Sequence, residues 1–140
     1  MTHVLVVDDS PSMRQLMRHA FEAAGWRVSE AADGADGFDA LLLSTEQLVV
    51  LFDYQMPTLD GFAMLTLVAT DAAMVARHAF ILMTSQERML PTPFVELLTR
   101  LNIPLLRKPF APSAAVEMAR HAAQRLPASG SGTDRGAALA

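Results

Sequence analysis

The stretch Leu48-Val49-Val50-Leu51-Phe52-Asp53-Tyr54-Gln55-Met56-Pro57 decides the fold of this chain. Its first five residues form an unbroken apolar run, which predicts a strand buried on both faces of a parallel sheet. The strand ends on the carboxylate of Asp53, and Pro57 and Asp60-Gly61 then predict a turn into a helix. A carboxylate at the end of a central strand is costly unless something binds it. Asp53 is therefore the first candidate functional residue.

Four further stretches predict strands around this central one. Residues 4–7 and 79–83 are also unbroken apolar runs, whereas residues 26–30 alternate apolar and polar side chains, as expected of an edge strand. Residues 103–106 contain Pro104, which cannot donate to a sheet ladder and therefore predicts a second edge strand.

Five predicted helices alternate with these strands, the fourth of them from about residue 93 to residue 101. The alternation predicts an α/β fold of the doubly wound, flavodoxin-like type, with helices on both faces of a parallel sheet. Right-handed crossovers and the two edge strands together give the strand order 2-1-3-4-5.

Composition limits the kinds of function that the chain can have. The 140 residues fit one domain, predicted over residues 1–127, and the Gly/Ser-rich residues 128–140 predict a flexible tail. The net charge of -4, without a basic cluster, argues against a nucleic-acid partner. There is no membrane-length apolar run and no export signal, which predicts a cytoplasmic protein without a membrane partner. With no cysteine, disulfides and thiolate metal sites are excluded.

The ends of the predicted strands carry the side chains that suggest a chemistry. Because parallel strands share one carboxyl end, Asp8, Asp9, Asp53, Thr84 and Lys108 are expected to meet at one edge of the sheet. Each pair of carboxylates held ~4 Å apart repels by on the order of 4 kcal/mol, and one lysine cannot offset three of them. Oxygen ligands of this kind favour Mg²⁺, with Mn²⁺ as a possible substitute. Aspartate also accepts phosphoryl groups, which Lys108 and the Thr84 hydroxyl would stabilise.

The chain resembles the receiver (CheY-like) domain of two-component response regulators over about residues 4–126. The motifs that carry this resemblance are Asp8-Asp9, Asp53 with Met56-Pro57 and Asp60-Gly61, Thr84, and Lys108-Pro109-Phe110. The resemblance implies that Asp53 accepts the phosphoryl group, that Thr84 is the switch hydroxyl and that Lys108 binds the phosphate. It also implies that Mg²⁺ is bound by Asp9, by Asp8 chiefly through water, by Asp53 and by the main-chain carbonyl of Gln55.

The same resemblance implies partners and a mode of action. The phosphoryl donor would be a phosphohistidine on a sensor histidine kinase or on a histidine phosphotransfer protein. The output would be a protein target that binds the face formed by the fourth helix, the fifth strand and the fifth helix. The expected protein is a bacterial, stand-alone response regulator that catalyses only its own phosphorylation and dephosphorylation and is otherwise not an enzyme.

Three departures from the family pattern lie on the output side and leave alternatives open. Leu105 replaces the usual aromatic residue three positions before Lys108, and Ser85 replaces the alanine that often follows the switch hydroxyl. Pro91 and Pro93 lie in the segment between Thr84 and Lys108. A scaffold of the same fold that works without phosphorylation is the first alternative. A second is a Mg²⁺-dependent phosphatase of the haloacid dehalogenase type, although its Asp-x-Asp pair is replaced here by adjacent acids.

Overall fold

A computed structural model describes residues 2–85 and 87–128 of the chain. The predicted tail therefore lies almost wholly outside the described residues. The strands are β1 His3–Val7, β2 Arg27–Ala31, β3 Val49–Asp53, β4 Ala79–Thr84 and β5 Leu105–Arg107. The helices are α1 Pro11–Ala23, α2 Gly34–Leu43, α3 Gly61–Ala69, α4 Ala72–Arg77, α5 Thr92–Arg100 and α6 Pro112–Gln124, with a 3-10 turn at Glu87–Met89.

The five strands form one parallel sheet in the order β2-β1-β3-β4-β5. This confirms the predicted fold class, the predicted order and both edge strands. Pro104 lies just before β5, where its carbonyl still accepts a hydrogen bond from the Leu82 amide at 3.0 Å. The central position of β3 agrees with its continuous apolar sequence, because a central strand is covered on both faces. Its residues 49–52 are at most 1% exposed.

The two faces of the sheet bury separate sets of side chains. On one face Leu5, Val50 and Leu82 pack against helices α2 to α5. On the other face, alternate strand residues such as Val6 and Leu51 pack against α1 and α6. Continuous apolar strands are what a sheet covered by helices on both sides requires.

The prediction of five helices was wrong, because the described residues contain six α-helices. The additional helix is α4, which begins where the Asp71 side chain accepts hydrogen bonds from the amides of Ala73 and Met74. The predicted fourth and fifth helices are therefore α5 and α6. Within the described parts of the chain, no helix has both the length and the apolar character that crossing a bilayer demands.

Candidate functional site

The carboxyl edge of the sheet, where the strands end in Val7, Asp53, Thr84 and Arg107, carries a cluster of charged side chains. Asp8 follows β1 and is fully buried, and its Oδ1 accepts a hydrogen bond from the Ser10 amide at 2.9 Å. That interaction fixes the carboxylate at the point where the chain turns into α1. Asp9, the next residue, is exposed.

Asp53 is the last residue of β3 and its side chain is only 16% exposed. Its Oδ1 accepts a hydrogen bond from the Tyr54 amide at 2.7 Å, which leaves Oδ2 directed toward Lys108. The Lys108 Nζ atom lies 3.0 Å from Asp53 Oδ2 and 3.1 Å from Asp8 Oδ2. Residues from three strand ends are therefore joined by one ammonium group, as their positions in the sequence predict.

Thr84 ends β4 on the same edge of the sheet and is 3% exposed. Its main-chain carbonyl accepts a hydrogen bond from the Lys108 amide at 2.9 Å. The backbone that holds Lys108 is thus tied to the residue predicted as the switch hydroxyl.

The charges of the cluster alter one another's titration. Burial raises the pKa of Asp53 above its ordinary value, while the Lys108 ammonium opposes this effect and the charge of Asp8 adds to it. Burial acts to lower the pKa of Lys108, but the carboxylates of Asp53 and Asp8 outweigh it and raise that pKa. Lys108 therefore remains an ammonium group at neutral pH.

The cluster has the donor set of a hard metal ion. Asp8, Asp9 and Asp53 each offer an oxygen, and these atoms lie within 4.8 Å of one another. Three carboxylates against one lysine leave two negative charges uncompensated, which suits a divalent cation with oxygen ligands. Gln55, the remaining predicted ligand, lines an open recess of about 430 Å³ together with Asp9 and Asp60.

Gly61 allows the backbone around Asp53 to close tightly. Its amide donates a hydrogen bond to the Tyr54 carbonyl at 2.7 Å. A Cβ atom at this position would lie 2.3 Å from the Asp53 carbonyl oxygen, a contact too short for any side chain, and 3.0 Å from Tyr54 Cα. The glycine that predicts the start of α3 is therefore required by close approach to the phosphoacceptor candidate.

Sequence reasoning missed Arg14, a second cation beside the cluster. Its Nη1 atom donates a hydrogen bond to the Asp8 main-chain carbonyl at 2.6 Å, and its Nε donates to Glu30 at 3.1 Å. Arg14 thereby holds the Asp8 backbone against β2. The one available signal was its place in the first turns of α1, shortly after the acidic pair.

Sequence reasoning also missed an aromatic stack that runs from the candidate site to α5. The ring of Tyr54, directly after Asp53, stacks on Phe94 with centroids 5.4 Å apart and planes at 28°. Phe94 stacks in turn on Phe62 at 5.0 Å and 26°. Because Phe94 belongs to α5, this stack connects the carboxyl end of β3 with the predicted output face.

The protein-family model of the response regulator receiver domain matches residues 4–120 of the chain. That match covers most of the 140 residues, and the chain therefore belongs to the family of response regulator receiver domains. The phosphatase alternative is set aside on this ground. Magnesium binding at an acidic site is typical of the family, and the described acidic cluster is consistent with it.

The chain is similar to parts of curated proteins and to solved receiver structures. The chain is 41% identical over 59 residues to a protein-glutamate methylesterase/protein-glutamine glutaminase of Hahella chejuensis, which covers 41% of this chain and 17% of that protein. It matches the chemotaxis protein CheY4 of Vibrio cholerae at a TM-score of 0.73 and 25% identity, over 87% of this chain and 98% of that one.

A third similar structure is the receiver domain of a sensor histidine kinase of Pseudomonas aeruginosa, with magnesium coordinated in its active site cleft. It matches at a TM-score of 0.70 and 18% identity, over 86% of this chain and 96% of that one, which shows the shared fold alone. The chain spans a quarter or less of the length of the curated relatives that it matches.

Proposed function

We propose that this chain is a phosphoacceptor receiver that signals through phosphorylation of Asp53. The observation that carries the proposal is the position of the Lys108 Nζ atom, 3.0 Å from Asp53 Oδ2 and 3.1 Å from Asp8 Oδ2. An acid held beside a fixed ammonium can present a carboxylate oxygen to phosphorus while the cation stabilises the charge of the incoming group. The domain that performs this chemistry is proposed to comprise residues 1–127.

The proposed reaction begins with a phosphohistidine whose imidazole is protonated on its other nitrogen. An Asp53 oxygen attacks phosphorus, the P–N bond breaks, and its electron pair remains on the leaving nitrogen, so that neutral imidazole departs. The product is an acyl phosphate on Asp53. Attack by water on phosphorus later returns inorganic phosphate and the free carboxylate, which limits the catalytic activity of the chain to its own modification.

The residues present fit a divalent cation, and the proposed ligands are Asp8, Asp9, Asp53 and the main-chain carbonyl of Gln55. When bound, Mg²⁺ or Mn²⁺ would supply charge compensation and polarise the phosphoryl oxygens. Lys108 contributes the remaining positive charge, and the Thr84 hydroxyl is proposed to donate to a phosphoryl oxygen. The exposed position of Asp9 suits a residue that contacts a partly hydrated ion.

The test is phosphorylation by acetyl phosphate with Mg²⁺, followed by intact-protein mass spectrometry. The chain is expected to gain the mass of one phosphoryl group, and Asp53→Asn is expected to gain none. Asp39→Asn, which removes an exposed acid of α2, is the matched control and is expected to behave like the unaltered chain. Equal labelling of the unaltered chain and the Asp53 variant, or no labelling of either, would refute the proposal.

The proposed partners are a sensor histidine kinase or a histidine phosphotransfer protein and, downstream, a protein that binds the face of α5, β5 and α6. The proposed compartment is the cytoplasm, where such phosphorelays operate.

Leu105 is the observation that favours the second candidate, a scaffold that works without phosphorylation. A tenfold change in target affinity on phosphorylation, about 1.4 kcal/mol, would decide against the scaffold. That the protein is a stand-alone response regulator, acting without an output domain, stays a prediction.

Leu105 has no aromatic ring and cannot act as the aromatic switch of the family. We propose that the stack of Tyr54, Phe94 and Phe62 instead transmits phosphorylation of Asp53 to α5. Phe94→Leu removes both ring contacts but leaves the charged cluster intact. We expect beryllofluoride, a phosphoryl mimic, to alter amide exchange in α5 at most half as much in this variant. Phosphorylation of Asp53 should be unchanged.

The matched control for this prediction is Phe21→Leu. Phe21 is also a fully buried phenylalanine, but it packs on the other face of the sheet against Trp26. Both variants are expected to lose on the order of 1 kcal/mol of stability from core truncation. An unchanged exchange response in Phe94→Leu, or an equal loss of response in both variants, would contradict transmission through the stack.

A further inference from the structure

The three acids of the charged cluster differ in how firmly the fold holds them. A backbone amide and the Lys108 ammonium both bind the carboxylate of Asp8, and the same is true of Asp53. The carboxylate of Asp9 is exposed, and among the residues that the structure describes none is hydrogen-bonded to it or ion-paired with it. The position of this third acid therefore depends on the backbone that follows β1.

Arg14 holds this stretch of backbone from α1. Its side chain is 17% exposed, and its Nη1 atom donates a hydrogen bond to the Asp8 main-chain carbonyl at 2.6 Å. Because the peptide unit is planar, a bond that fixes the carbonyl of Asp8 also fixes the amide nitrogen and the Cα atom of Asp9. Arg14 therefore restricts the acid that no other described side chain restrains.

Glu30, on the edge strand β2, holds Arg14 in turn. The Arg14 Nε atom donates to Glu30 Oε1 at 3.1 Å, and Arg18 Nε donates to Glu30 Oε2 at 2.5 Å. Both oxygens of the Glu30 carboxylate are thus bonded to α1. Since a guanidinium group is planar and rigid, its bond to Glu30 also limits the directions in which Nη1 can point.

We propose that Arg14 is a positioning residue for the divalent-cation site and that Glu30 supports it from the neighbouring strand. A ligand that is already held in place loses less conformational freedom when it binds, so the ion is bound more tightly. The inference rests on the cation site of the proposed function. It concerns how tightly that site binds the ion, whereas the mass measurement decides whether Asp53 accepts a phosphoryl group.

The test is a titration of the full, unphosphorylated chain with Mg²⁺, followed through the backbone amide signals of Asp9 and Tyr54 by NMR. Arg14→Gln is expected to weaken Mg²⁺ binding about tenfold, as is usual when a residue that orients a metal ligand is removed. An effect of charge alone has the opposite sign, because removal of a nearby cation strengthens the attraction between the carboxylates and Mg²⁺. The direction of the change therefore separates positioning from electrostatics.

Variants of Glu30 test the support from β2. Glu30→Gln should weaken Mg²⁺ binding about threefold, and the loss should persist in about 0.5 M KCl, where exposed charges are largely screened. Because Glu30 acts through Arg14, the double variant should bind Mg²⁺ no more weakly than Arg14→Gln alone. Glu22→Gln is the matched control, since Glu22 pairs with Arg18 at 2.9 Å but not with Arg14, and it should bind Mg²⁺ as the unaltered chain does.

Should Arg14→Gln fail to fold, Arg14→Lys takes its place. It keeps the charge but has one nitrogen in place of the guanidinium fork, and it should bind Mg²⁺ about threefold more weakly than the unaltered chain.

The proposal is overturned if Arg14→Gln binds Mg²⁺ as tightly as the unaltered chain or more tightly. Equal losses in Glu30→Gln and Glu22→Gln would also overturn it, because the effect would then be one of surface charge. So would the absence of saturable Mg²⁺ binding by the unaltered chain. At saturating Mg²⁺ every variant should still be labelled by acetyl phosphate, so a failure of labelling at Asp53 bears on the proposed function alone.

Discussion

Replacing Lys108 with methionine is expected to lower the free energy of unfolding by about 3–5 kcal/mol in buffer free of divalent ions, the cost of breaking a buried ion pair from one side. The Lys108 ammonium contacts two carboxylates, and the side chain of Asp8 is only 1% exposed. Without the lysine, Asp8 and Asp53 remain buried beside each other with no adjacent cation. Urea denaturation in the presence of a chelator measures the change.

Arg107→Met is the matched control for this experiment. Arg107 precedes Lys108 in the chain, but its side chain is 73% exposed and pairs with Glu87 at the surface. A surface pair of this kind contributes about 0–1 kcal/mol. Equal losses in the two variants would show that the ammonium does not hold the cluster together. Addition of Mg²⁺ should restore part of the loss in the Lys108 variant, since the ion would compensate the same carboxylates.

Acidification from pH 7 to pH 5 is expected to remove about 2 kcal/mol of stability through His78 alone. Burial lowers the pKa of His78 to about 4 in the folded chain, with a smaller contribution from the charge of Arg77, whereas the ordinary value is 6.5. A depressed histidine pKa means that the unfolded chain binds protons first. The stabilisation is therefore complete above pH 6.5 and is lost progressively as the pH falls toward 4.

The measurement is the free energy of unfolding of the unaltered chain and of His78→Gln at several pH values. The difference between the two should shrink by about 2 kcal/mol between pH 7 and pH 5. His121→Gln is the control, because the His121 side chain is 66% exposed. A constant difference between the unaltered chain and the His78 variant would mean that His78 titrates normally in the fold.

The fold follows from the sequence because burial on both faces leaves an unmistakable pattern. Each central strand is an apolar run that ends on a polar residue, so β1, β3 and β4 are recognisable without any contact information. Pro104 and the alternation around Val28 identify the two edges, which fixes the order once crossovers are right-handed. The same strand ends place Asp8, Asp53 and Lys108 together, and the structure brings them within hydrogen-bond distance.

Features that depend on contacts between distant residues could not be predicted in this way. Helix α4 is six residues long, too short to show a clear helical period of apolar residues. The capping residue Asp71 is the one local indication of it. The Tyr54–Phe94 stack joins residues forty positions apart, and nothing local marks either ring as a partner. The burial of His78, whose Nδ1 atom accepts a hydrogen bond from the Leu48 amide at 3.0 Å, could not be predicted either, because in the sequence that residue is one of four scattered histidines.

The chain contains one tryptophan and one tyrosine, and the fold places them at opposite ends of the sheet. Trp26 precedes β2 at the amino edge, 7% exposed and edge-on to Phe21 with ring centroids 5.1 Å apart. Tyr54 follows Asp53 at the carboxyl edge. Trp26 therefore belongs to the packing of the amino edge, whereas the phenol ring of Tyr54 lies beside the charged cluster, so we expect the environment of the phenol to respond more directly to a charge arriving on Asp53.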